Sequence, residues 1–456
     1  MLERFRLILY FCGKIAKMKN ILIIGAGRSA ASLIDYLLEH STAEEWQLVV
    51  ADVSLDLAEE KTAGHPQAKA IAFDVHNAAE REREIGNADL VVSMLPAAMH
   101  MEVANDCLRL GKHLATASYV SAEMRALDAQ VRERGLIFLN ECGVDPGIDH
   151  MSAMKIIDEV RSRGEEVIAF HSYCGGLIAP ESNTNPWGYK FTWSPRNVVL
   201  AGQGGDAKWI EDGKMKSLTY ANLFYETQTI DFEGYGSFDA YANRDSLSYR
   251  TVYGLDNIPT MMRGTLRMPG FCMAWDKLIS LGLTDASKNI QGKYKTWSAL
   301  MQGLHPDLKD MTELLDELGV DDEACAEKLL YLELYSDRVI ADAVNTPAEA
   351  LQALLEDKWK LGEHDLDLIV MKHEFLIRRK DGSERKIHAS LVVKGQDRIH
   401  TAMAMTVGLP LAIAVRLIMN HKIPSRGVVV PVKPEFYEPV LAELAQKGIV
   451  FHESEN

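Results

Sequence analysis

The stretch NILIIGAGRSAASLIDYLLEH, residues 20–40, limits the folds open to this chain more than any other feature. Four apolar residues, Ile21–Ile24, run into Gly25-Ala26-Gly27-Arg28-Ser29-Ala30, and apolar side chains then recur at helical spacing. That is strand, glycine turn and helix, in the order a dinucleotide-binding unit requires. Gly25 permits the tight turn, Gly27 lets a pyrophosphate approach the backbone, and Ala30 takes the place of the third glycine where helix and strand pack closely. The phosphates would lie on the helix N-terminus.

The neighbouring segments continue the pattern. A second strand over 47–51 ends at Asp52, placed to hold the ribose hydroxyls of an adenosine. A third over 69–73 ends at Asp74, and a fourth over 88–96 stops at Leu95-Pro96. In a doubly wound α/β sheet these strand ends open into one crevice. Gly25, Gly27, Arg28, Ser29, Ala30, Asp52, Asp74, Leu95 and Pro96 are the expected dinucleotide set. Asp52 favours NAD because it would repel a 2′-phosphate, and Arg28 is the one nearby cation that could offset it.

At 456 residues and 47% hydrophobic, the chain is long enough for two or three domains. Its net charge of −16 argues against nucleic acid or an anionic membrane as a partner, since the long-range field repels phosphate. Six scattered cysteines without a Cys-x-x-Cys pair point to reduced thiols in the cytoplasm and to no structural metal. The opening MLERFRLILYFCGKIAK is too short to span a bilayer. Residues 1–18 are read as an extension of unknown role, with Met18 an alternative start.

Further along come TASYVS, GVDPGIDH, SYCGGLIAPES, NPWGYKFTWSPR, NRDS and TVGLPLAIAV, in that order. Together with the glycine turn they resemble the saccharopine dehydrogenases of the NADP+, L-glutamate-forming type, the saccharopine reductases, over about residues 19–450. The resemblance implies a fold: an N-terminal Rossmann doubly wound parallel sheet, a mixed-sheet α+β substrate domain with a helical insertion, and a C-terminal helix returning to the Rossmann domain. The expected boundaries are 19–140 with about 396–456 for the first, 141–272 with 361–395 for the second, and 273–360 for the helical part. It also implies reduction of the imine between L-2-aminoadipate 6-semialdehyde and L-glutamate, and a homodimer acting on free amino acids. The family's arginine after the second strand is replaced by Asp52-Val53, which leaves NAD or NADP open.

Imine reduction needs a group that shuttles a proton near the nicotinamide. Asp145, Asp149, His150, His171, Tyr173 and Cys174 are the titratable candidates. Asp145 is favoured because Val-Asp-Pro-Gly fixes it on a turn, Tyr173 follows through its hydroxyl, and Asp149 reads as a helix N-cap. A substrate with three carboxylates needs fixed cations in an acidic protein. The resemblance carries that role to Arg244, with Arg196 and Lys190 as second choices, and places Ser118 and Tyr119 at the substrate edge. Cys174 precedes Gly175-Gly176, where absent side chains let a substrate come close.

Leucines at three- and four-residue intervals over 273–360 predict packed helices. Asp381-Gly382 predicts a hairpin returning to the substrate-domain sheet, and the long apolar segment after His400 reads as a helix interrupted at Gly408-Leu409-Pro410. Two other readings stand beside imine reduction of the saccharopine type. One is a carboxyspermidine-type dehydrogenase, whose polyamine substrate would want acidic contacts. The other is a dinucleotide-responsive regulatory protein, which would have no need to keep Ser118, Asp145, Tyr173 and Arg244 together.

Overall fold

The apolar run before Gly25 forms strand β1 (Lys19–Ile24), whose last four residues are fully buried, as befits a strand covered on both faces. The computed structural model describes residues 18–456; Cys12 and nearly all of the expected extension lie in residues 1–17, outside them. β2 (Trp46–Asp52), β3 (Ala68–Ala72), β4 (Leu90–Ser93), β5 (His113–Ala115), β6 (Ile137–Leu139) and a further strand, Gly427–Val429, complete the first sheet. All pairs are parallel, in the order Gly427–Val429, β6, β5, β4, β1, β2, β3. The order reverses between β1 and β4, and a doubly wound sheet opens its ligand crevice at that switch, beyond the carboxyl ends of the strands.

The second sheet is mixed. β7 (Glu166–Ile178) lies at its centre. It is followed by β8 (Ala207–Glu211), β9 (Lys214–Leu218), β10 (Gln228–Phe232), β11 (Gly236–Ala242), β12 (Thr260–Arg267), β13 (Asp367–Arg378) and β14 (Glu384–Lys394). The path runs β10, β11, β12, β7, β13, β14, His452–Glu455, with β8 and β9 branching from β12. Only β7 and β12 are parallel among these pairs. The hairpin expected at Asp381-Gly382 is present: Gly382 takes a φ of 85° and the Ser383 hydroxyl donates to Asp381 at 2.6 Å. Helices over 271–358 pack on this sheet, with Trp187, Trp275, Trp359 and Phe271 in one buried cluster with Tyr173 and Leu177. The helical part therefore has no core of its own.

The chain divides into Met1–Ile148 with Val407–Pro431, and Asp149–Thr406 with Val432–Asn456. This corrects the expected C-terminal boundary. Only 407–431 join the first unit. The tail belongs to the second because His452–Glu455 pairs with β14 and the Tyr437 hydroxyl donates to Asp158 at 2.9 Å. The interruption expected at Gly408-Leu409-Pro410 is absent. The helix Ala402–Met419 runs through it, long and apolar enough to cross a membrane by length and composition, with 78% of its apolar window buried. Pro410 removes one backbone donor from this helix. Gly408 serves close packing, since a Cβ there would lie 2.7 Å from the Leu33 amide nitrogen.

Candidate functional site

In the first unit, Gly25 has a φ of 105°, and a Cβ would sit 2.9 Å from the Met94 carbonyl. No other residue fits there. Gly27 is exposed, with nothing within 4 Å of where a Cβ would project. It opens a 3-10 turn, Arg28–Ala30, that leads into the helix Ala31–Ser41, and no side chain caps either start. The Ala30 amide closes this turn on the Gly27 carbonyl at 3.0 Å, and a helix start without a side-chain cap is a place that attracts an anion. Ala30 is 1% exposed, in keeping with close helix packing, and Ser29 is half-buried. Leu95 and Pro96 lead from β4 into a short turn, Ala97–Met99, while Asp74 is exposed and accepts from the His76 amide at 2.9 Å.

Asp52 is the last residue of β2, and its carboxylate accepts from the Ala26 and Ser54 amides at 2.8 and 2.9 Å. The strand end thus presents a fixed negative charge, followed by Val53, which is 82% exposed and apolar. These residues stand where the adenosine ribose of a dinucleotide is held in such a unit.

Ser118, half-buried beyond β5, is tied to a residue that sequence reasoning passed over. Its hydroxyl lies 2.7 Å from His100 Nε2, and His100 Nδ1 lies 2.8 Å from the Ser93 hydroxyl at the end of β4. A lone histidine at a helix start gave no signal, because both partners come from other segments. Tyr119 is also half-buried. Asp145 stands in a turn closed by the Gly143 amide on the Pro146 carbonyl and the Ile148 amide on the Gly143 carbonyl, both 2.8 Å, with a cis Asp145-Pro146 bond. Gly147 has a φ of 147°, and a Cβ would sit 2.1 Å from the Gly143 oxygen. Gly147→Ala is therefore expected to cost about 3 kcal/mol or more and to disperse the Asp145 turn. Urea titration checks this, and wild-type stability would overturn the close packing assigned to Gly147.

In the second unit, side chains alternate across β7 and β12. Register places Cys174 against Thr265 and Tyr173 against Gly264, on opposite faces. Tyr173 faces the helical core, 2% exposed, and its hydroxyl donates to Gln228 at 3.3 Å. Burial pushes its phenol well above the ordinary value, with Glu374 and Glu211 adding to this. Tyr173 thus lies on the face opposite Cys174, within the buried cluster of the helical part. The space beside Gly175 and Gly176 is filled as well: a Cβ would meet Leu266 Cβ at 2.8 Å and the Met403 methyl at 2.7 Å.

Arg263, Thr265 and Arg267 share the Cys174 face. Arg263 is paired, its Nη2 2.8 Å from the buried Asp149 carboxylate. Asp149 lies inside the helix Ile148–Ser162, so it is this ion-pair partner and not the expected N-cap. Arg267 is 5% exposed and has no carboxylate partner among the described residues. Its Nη1 donates to the Leu266 carbonyl at 3.1 Å and its Nη2 to the Tyr241 hydroxyl at 3.3 Å, while Nε has no partner. Tyr189, Tyr241 and Phe271 surround it at 5.5, 5.7 and 5.4 Å, with the Cys272 and Cys174 thiols nearby. A buried cation without a counter-ion is costly, and an anionic ligand offsets that cost.

Arg244, expected to grip a carboxylate, is exposed just beyond β11 with a φ of 47°, a backbone conformation an arginine seldom adopts. Lys190 is held by Asp365 at 2.5 Å, and Arg196 is exposed 4.0 Å from Glu349. His150 is fully buried against the Tyr253 hydroxyl at 2.6 Å, a structural position. A cavity of about 600 Å³ beside Ile156, Tyr437, Leu441 and Phe451 includes none of the expected site residues.

Burial lowers the pKa of His100, and of His373 in β13, to about 4. Between about pH 6.5 and 4 the unfolded chain protonates these imidazoles and the folded one does not, so stability falls as pH falls through that window. Each contributes on the order of 3 kcal/mol. Urea titrations at pH 7, 5.5 and 4 should show the decline; a flat profile would count against both assignments.

Two family models match, described as the saccharopine dehydrogenase NADP binding domain over residues 21–139 and the saccharopine dehydrogenase C-terminal domain over 143–449. A saccharopine dehydrogenase [NADP(+), L-glutamate-forming] of Pyricularia oryzae is 33% identical over 442 residues, covering 94% of this chain and 97% of that one. The solved apo saccharopine dehydrogenase (L-Glu forming) of Saccharomyces cerevisiae superposes with a TM-score of 0.85 at 31% identity, covering 96% of this chain and 100% of that one. A homospermidine synthase of Legionella pneumophila in complex with NAD, 11% identical with a TM-score of 0.58 over 96% of this chain and 91% of that one, shares the fold alone.

Proposed function

The chain belongs to the saccharopine dehydrogenase family, and on that footing we propose how its residues serve the reversible reduction of the imine between L-2-aminoadipate 6-semialdehyde and L-glutamate to saccharopine. It is an oxidoreductase acting on a CH–NH bond, within lysine metabolism. The observation that carries the proposal is Arg267: a buried guanidinium without a carboxylate of its own among the described residues, beside Cys174, suits a substrate that brings carboxylates. Charge-assisted pairing there fixes the substrate as well as binding it. Ser118 offers a hydroxyl to another anionic oxygen, and Arg244 meets the substrate from its exposed position.

When bound, the dinucleotide supplies hydride to the imine carbon. The chain supplies the rest. Asp145, held on its glycine-closed turn, moves the proton at the substrate nitrogen, which must be protonated for hydride addition and deprotonated in the reverse direction. The relatives' names and the matching domain model carry NADP. The strand end of this chain, Asp52 followed by exposed Val53, supports NAD(H) as the preferred cofactor here.

A polyamine substrate of the carboxyspermidine kind would set a second cation beside Arg267, and like charges in a buried site repel strongly. The test is nicotinamide absorbance with the semialdehyde and glutamate, with each omitted in turn and with NADH and NADPH in parallel. Turnover that needs both substrates supports the assignment. Turnover without glutamate, or none with either cofactor despite measurable cofactor binding, overturns it.

A further inference from the structure

We propose that His100 is a positioning residue that fixes Ser118 as a hydrogen-bond donor toward a substrate carboxylate. This rests on the reading of Ser118 as a substrate contact. His100 opens the helix His100–Leu110, is 5% exposed, and bridges two serine hydroxyls at 2.8 and 2.7 Å. Burial keeps the ring neutral at pH 7, so one nitrogen donates and the other accepts.

Ser93 decides which. It is 1% exposed, and among the described residues its hydroxyl has only the ring as partner. A buried hydroxyl hydrogen needs an acceptor, so the Ser93 O–H donates to Nδ1. The ring proton then sits on Nε2 and donates to the Ser118 oxygen. Ser118, half-buried, keeps its own hydrogen uncommitted and directed away from the ring. Aligned donors in such a chain also polarise one another, which strengthens the last of them. The opposite tautomer would strand the Ser93 hydrogen and commit the Ser118 hydrogen to the ring. Only lone pairs would then face an anion.

The first experiment is nitrogen-15 NMR of the His100 ring in the full chain at pH 7. Protonation at Nε2 is expected, and protonation at Nδ1 overturns the proposal. Kinetics then test the purpose of the arrangement. Gln at this position carries its amide nitrogen near the place of Nε2, whereas Asn reaches only as far as Nδ1. His100→Asn should raise the KM for saccharopine about tenfold, with kcat and the dinucleotide Kd, read by fluorescence, within about twofold. His100→Gln should recover most of that loss. In a Ser118→Ala background His100→Asn should add nothing further, because its effect passes through Ser118. An equal loss in both backgrounds would make His100 merely structural and overturn the proposal. Wild-type KM in Ser118→Ala alone would overturn the substrate reading of Ser118, and the unchanged Nε2 tautomer would tell that failure from the other.

Discussion

Arg267→Met should lower kcat/KM for saccharopine by on the order of 100- to 1000-fold while making the free protein more stable. The two effects have one cause. Arg267 is 5% exposed, its Nε is unsatisfied, and aromatic rings occupy the place of a counter-ion. Removing the partner of a buried, hydrogen-bonded charge costs about 2–5 kcal/mol of binding. Replacing buried ion pairs by apolar side chains of similar volume is often neutral or adds about 1–4 kcal/mol of stability, and a charge without a counter-ion has less to offset its desolvation. Steady-state kinetics and urea denaturation of the same sample measure both. Unchanged kcat/KM would end the substrate role of Arg267, and a destabilised variant would mean that the aromatic cage depends on the guanidinium. Arg244→Ala, at an exposed position, should cost binding without gaining stability.

The second large effect concerns the cofactor. Wild type should favour NADH, and Asp52→Asn should move the ratio of kcat/KM for NADPH to that for NADH upward by about 30-fold. The carboxylate is fixed by the Ala26 and Ser54 amides, so it cannot swing away from an incoming phosphate. Unit charges about 4 Å apart interact with about 4 kcal/mol at an effective dielectric of 20, and partial exposure with salt screening brings this to about 2 kcal/mol. Asparagine removes the charge and keeps one accepting oxygen. Equilibrium titration of both reduced cofactors should show the same trend as the kinetics. A wild type that prefers NADPH, or a ratio indifferent to Asp52→Asn, would mean that another group near the turn sets the choice.

Much of the first unit was legible because its constraints are local. Gly25, Gly27 and Ala30 have their roles within one turn, and Asp52 follows at the end of the next strand. The hairpin at Asp381-Gly382 was legible for the same reason. Arg267 was not, since its significance lies in what it lacks: Asp149 pairs with Arg263 from a distant helix and leaves Arg267 alone on that face. A signal was present in two arginines four apart on an apolar strand, where alternation puts both on one buried face. Tyr173 and Cys174 were both taken for the site, although adjacent strand residues point to opposite faces, and that period of two was readable from the start. The fate of the tail was hidden, because nothing in His452–Glu455 announces that the edge of β14 will accept it.

The chain leaves the first unit after Ile148 and returns to it only at Val407. The ribosome therefore finishes the first unit only after nearly all of the second has been made. Its sheet edge, where Gly427–Val429 pairs with β6 and the Val428 amide donates to Asp128 at 2.8 Å, must wait until residues 149–406 have been made. A premature stop that removed residues from 407 onward would leave the entire second sheet but for its last short strand, and would damage the dinucleotide unit that begins hundreds of residues upstream.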